Sequence, residues 1–89
     1  MSSVIESGTI TLPNMAYPTV TKNYGTSYTG TNPPQVFVTP QFTAYARMIS
    51  MGTWAIVHNG SSGTWTGFTL YGQANPNGSG VVFDYVEIG

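Results

Sequence analysis

The sequence predicts an all-β protein, an antiparallel β-sandwich of six to seven short strands in one domain spanning residues 1–89. Two observations lead there. Runs rich in β-branched and aromatic residues recur along the chain, above all Gly63 to Tyr71 and Val81 to Gly89. Clusters of Gly, Pro and Asn separate these runs, as turns separate strands. Neither an internal repeat nor a domain linker interrupts the series, which fits a small sandwich or barrel.

Taken in order, Val4-Ile5 and Thr9 to Leu12 form a first extended stretch, bent at Ser7-Gly8 and stopped by Pro13-Asn14. Pro18 to Tyr24 alternates weakly through Val20 and Tyr24. Gly25 to Pro34 contains two glycines and closes on Asn-Pro-Pro, so an exposed loop is expected there. With the segment Met1 to Glu6, this polar, uncharged, Tyr-bearing loop is the expected meeting place with neighbouring proteins. Gln35 to Thr39 reads as a strand with Val36 and Val38 on one face and Phe37 and Thr39 on the other. Phe42 to Met51 is read as a further strand, its short length and lack of capping carboxylates outweighing the helix formers Ala44, Ala46, Met48 and Met51. Thr53 to His58 is the next strand, closed by a hairpin loop over Asn59 to Gly63. Gly63 to Tyr71 then places Phe68 and Leu70 together in the core, and a loop through Asn75 to Gly78 leads to the terminal strand from Val81. A strand running to the last residue predicts a finished module with no appended tail.

Composition narrows the function classes. Only 6% of the 89 residues are charged, against roughly 25% in an average globular protein. The surface must therefore be covered by Thr, Ser, Asn, Gly and Tyr, which protect poorly against self-association. A domain of this size buries only about 60–65% of its unfolded surface. With 0 Cys and a single His58, neither a disulfide nor a closed metal site can reinforce it. Oligomerisation is the remaining remedy, and a homotrimer is expected, with Phe37, Trp54, Trp65 and Phe83 supplying interface area. Lys22 and Arg47 are the only basic side chains apart from that histidine, too few to neutralise phosphates, so nucleic acid is excluded as a partner. No apolar stretch approaches the ~20 residues of a membrane span, and the amino terminus lacks the basic and apolar regions of an export signal. Without secretion, Asn59-Gly60-Ser61 and Asn77-Gly78-Ser79 read as turns rather than glycosylation sites.

Catalytic constellations are thin. His58, Ser61, Ser62 and Asp84 are the residue types of a hydrolase triad, but a triad needs a nucleophile elbow and none is visible. Asp84 and Glu87 lie three apart and point to opposite faces of a strand. No enzyme activity and no cofactor are expected. Ligand contact is the better-supported chemistry: Trp54, Trp65 and Tyr71, with Tyr45, offer aromatic faces for stacking a sugar ring.

Three features recur in a familiar order: the strand Pro34-Gln-Val-Phe-Val-Thr39, the strand Thr66-Gly-Phe-Thr-Leu70 and the terminal Tyr85-Val-Glu-Ile-Gly89. Together with Glu6-Ser-Gly-Thr9, they resemble the H-type lectins and the similar carboxy-terminal modules of bacteriophage tail fibres, over nearly the whole chain. The resemblance implies a six-stranded antiparallel sandwich assembled as a trimer, with N-acetylgalactosamine-type sugars bound in clefts between protomers. It adds Arg47 as a basic sugar contact and Asn75, in the loop after the Gly-Phe strand, as a ligand residue. That loop, Gln73 to Gly78, lacks the aromatic and His residues of sugar-binding members; Tyr85 replaces a usual Trp and Glu87 a usual small residue. The expectation is therefore a virion structural protein made in the host cytoplasm, of decoration, knob or tail-fibre type, contacting other virion proteins and adhering weakly to host glycans. The alternative is a free-standing lectin.

Overall fold

The computed structural model of the protein describes residues 3–13, 17–41, 54–72 and 81–89. These form six strands: β1 Val4–Leu12, β2 Thr19–Gly30, β3 Gln35–Pro40, β4 Ala55–Ser61, β5 Gly63–Tyr71 and β6 Val81–Ile88. The fold is all-β, in two three-stranded antiparallel sheets ordered β1-β6-β3 and β2-β5-β4. Residues 42–51, read above as a strand, and the loop 75–78 lie outside the described residues.

Period-two alternation decides which side chains go inside. On β6, Val81, Phe83, Tyr85 and Glu87 are buried, while Val82, Asp84, Val86 and Ile88 are not. Asp84 and Glu87 thus occupy opposite faces, as their spacing requires. Ile10 and Leu12 of β1 and Phe68 and Leu70 of β5 join Phe83 in one core shared by both sheets, giving a sandwich-like arrangement. Val36 and Val38 of β3 pack against that core, and Phe37 lies on the outer face. Edge-to-face aromatic pairs tie the layers together: Phe68 on Tyr85 at 5.6 Å and Trp54 on Phe83 at 5.7 Å.

The structure corrects three expectations. Residues 25–30 belong to β2 rather than to a loop, because Tyr28, Thr29 and Gly30 pair with Trp65, Thr64 and Gly63. The glycine that reads as loop punctuation accompanies a bulge: β2 runs from Asn23 to Tyr28 while β5 runs only from Gly67 to Trp65. The hairpin loop expected over 59–63 is shorter, since Ser61 already pairs with Thr64. Its Gly60 sits at a second irregularity with φ +124°, where a Cβ would lie 2.5 Å from the Thr64 carbonyl oxygen. Finally, Phe83 supplies no interface area, being wholly inside a single chain, and the half-buried Trp54 and Trp65 pack against the same core.

Candidate functional site

The sugar-stacking candidates are dispersed. Trp65 donates its indole N–H to the Gly30 carbonyl at 3.0 Å and meets His58 edge-on at 6.4 Å. Tyr71, 44% exposed, stands at the opposite end of β5 between Thr19 and Ala55. Tyr71 lies six residue steps beyond Trp65 along extended chain, a span of roughly 20 Å, so they do not share a platform. Trp54 turns its ring onto Phe83. Arg47 and Asn75 lie outside the described residues. The triad residue types do not converge either: His58 is on β4, whereas Asp84 is on the outer face of the other sheet, accepting a hydrogen bond from the Gln41 amide at 3.0 Å.

Two surfaces remain. The outer face of β1-β6-β3 carries an apolar cluster at one end: Val4 and Ile88 are register partners, and Phe37 pairs with Val86 in the next row. Val4 and Phe37 are 61% and 53% exposed, and Asp84 is the only charged residue on this face of β6. Around the corner, Tyr28, Asn32, Pro34, Gln35 and Ile88 border an open cleft of about 240 Å³. The outer face of β2-β5-β4 is mainly polar, with the exposed Val57 and Tyr71 among its hydroxyls and amides. There Thr69 accepts a hydrogen bond from the Asn59 amide at 2.9 Å and shares another with the Thr21 hydroxyl at 2.9 Å, in a ladder across all three strands.

Between the sheets lies a group of ionisable residues that sequence reasoning missed as a group. Glu6 of β1 and Glu87 of β6 are direct register partners. Glu6 is bonded from three sides: the Lys22 ammonium at 3.3 Å, the Tyr85 hydroxyl at 3.1 Å and the Gly25 amide at 3.3 Å. Burial pushes its carboxyl up, but those donors outweigh it and hold it below the usual carboxylate range. Its partner Glu87 is completely buried, and among the described residues neither carboxyl oxygen has a hydrogen-bond partner. Burial, reinforced by the Glu6 charge and only partly offset by Lys22, pushes Glu87 up to about 7. Tyr24, whose buried hydroxyl also lacks a partner, is pushed up to about 12 by burial and the two carboxylates. The alternation Val81, Phe83, Tyr85, Glu87 was the available signal, since it places Glu87 on the inward face.

Comparison with models of protein families, with curated proteins and with solved structures finds no match.

Proposed function

We propose that this chain is a non-enzymatic assembly protein: a subunit of a homotrimeric bacteriophage surface appendage of decoration, knob or tail-fibre kind, with weak adhesion to host glycans. The observation that carries the assembly part is the apolar cluster on the outer face of β1-β6-β3, in which the exposed Val4 and Phe37 flank the half-buried Val86 and Ile88. An apolar cluster on a chain with 6% charged residues has little to keep copies or neighbours apart. The virion assignment rests on the resemblance of the Pro34–Thr39, Thr66–Leu70 and Tyr85–Gly89 segments to phage fibre modules. Sedimentation should give a trimer at micromolar concentration, and Phe37→Asp should shift it toward monomer with the β-sheet circular dichroism retained. A wild-type monomer under those conditions overturns the assembly reading. Failure to co-purify with phage particles overturns the virion reading alone.

The second reading, a free-standing carbohydrate-binding lectin, draws on Tyr71, an exposed ring beside the Thr19, Thr21 and Thr69 hydroxyls. Glycan-array binding that Tyr71→Ala abolishes, without particle association, would favour it.

A further inference from the structure

Two carboxylates placed directly opposite each other on neighbouring antiparallel strands repel when both are ionised. In this protein Glu87 is enclosed between the sheets beside Glu6, whose side chain is 26% exposed, and Lys22, the one cation near the pair among the described residues, is bonded to Glu6. Glu6 has two further donors, whereas Glu87 has none among the described residues and no contact with solvent. An ionised carboxylate in that position has no surface open to solvent and, among the described residues, no cation bonded to it, Lys22 acting on it only from its place on Glu6; the cost of such burial is relieved by taking up a proton. The groups around Glu87 allow no other relief among the described residues. From β1 it faces Glu6, from β2 Lys22 and Tyr24, and along β6 Tyr85; its register partner on β3 is Val36, and β3 carries no titratable side chain. A role for the pair as acid and base toward a substrate is excluded in this state, because Glu87 has no exposed surface.

We propose that the Glu6–Glu87 pair is a proton-operated latch between the two sheets: they close over a protonated Glu87, and loss of that proton opens this end of the sandwich while the Phe83 end stays shut. The latch works independently of any partner and goes beyond the assembly role proposed above. The direction follows from linkage. Glu87 in the closed state holds its proton to about pH 7, whereas an opened, hydrated Glu87 loses it near 4.5. The closed form is thus favoured fully at acid pH and progressively less as pH rises through that window. The opening equilibrium should increase by up to about tenfold per pH unit across it, then level off.

Amide hydrogen exchange of the full chain, corrected for intrinsic rates and followed from pH 5 to 8.5, tests this. Protection at Glu6, Lys22 and Glu87 is expected to fall with that slope, while Ile10, Leu12 and Phe83 keep theirs. Glu87→Gln, which stays neutral, should abolish the slope. Because histidine ordinarily titrates in the same range, His58→Gln is run alongside and should retain it. A slope that persists in Glu87→Gln, or one that disappears in His58→Gln, overturns the proposal. If Glu87→Gln does not fold, the side-chain carboxyl carbon of Glu87 in the wild-type protein decides by NMR: a midpoint near neutrality supports the latch, and one near 4.5 overturns it.

Discussion

Leu12, Ile10, Phe83, Val81 and Leu70 bound one end of the space between the sheets, and Glu6, Glu87, Lys22, Tyr24 and Tyr85 the other. Both ends draw on the same two strands, β1 and β6, and on the same alternation. At the first end the contacts are non-directional, and each fully buried side chain contributes roughly 1.5–3 kcal/mol. At the second, stability depends on whether every polar atom finds a partner, and three of them, the Tyr24 hydroxyl oxygen and both Glu87 oxygens, find none among the described residues. One end of the interior is therefore a conventional core, and the other is the end that the proposed latch makes conditional on the protonation of Glu87.

The largest effects should come from the apolar end. Phe83→Ala and Phe68→Ala each remove a fully buried ring that packs edge-on against a neighbour. Each should cost about 3–5 kcal/mol in chemical denaturation, a large share of the total for so small a domain. An unchanged midpoint for either variant would mean that the division of the interior drawn here is misplaced.

Gly67→Ala probes the boundary between the two ends. A Cβ there would run into the backbone carbonyl of Lys22 on the neighbouring strand, so β2 must move away just where its bulge begins. A loss of about 2–3 kcal/mol is expected, within the range for forced overpacking. Because β2 carries Lys22 and Tyr24, the same variant should lose exchange protection around Glu6 before the Phe83 end. Uniform loss along the molecule would show the two ends to be a single cooperative unit.

Tyr85→Phe isolates the polar contribution. It keeps the ring against Phe68 but removes the hydroxyl that donates to Glu6. A cost of about 1 kcal/mol is expected, several times less than truncating either phenylalanine. A larger loss would mean that the hydroxyl supports a network wider than Glu6.

How much of this was legible in the sequence depended on range. Alternation alone placed Phe68 with Leu70 and Val36 with Val38, because each strand reports its own faces. The Gly25–Gly30 segment misled for a local reason: glycine marks a loop and a bulge equally well, and only pairing with β5 separates them. The polar end was illegible as a unit. Tyr85 and Glu6 are 79 positions apart, and the facing of Glu6 and Glu87 follows from register, which no short window contains. Trp54 and Trp65 read equally well as ligand platforms or core; packing against Phe83 and His58 became visible only in three dimensions.

The smallest expected effect separates the two carboxylates of the pair by pH. Glu6, held below the ordinary carboxylate range, contributes stability that is present above its unfolded value and lost as pH falls through its lower folded value. Glu87 has the opposite sign, with its contribution lost as pH rises toward 7. Thermal stability should therefore peak on the acid side of neutrality, between the two windows. Lys22→Met removes one of the donors holding Glu6 down but leaves the Gly25 amide and the Tyr85 hydroxyl in place. It should flatten the acid limb of the profile without erasing it. The same change removes a charge that favours ionised Glu87, so the neutral limb should move to higher pH. Melting curves from pH 3 to 8 read both limbs in one series. An acid limb as steep in Lys22→Met as in the wild type would show that the backbone amide and the tyrosine alone set the state of Glu6.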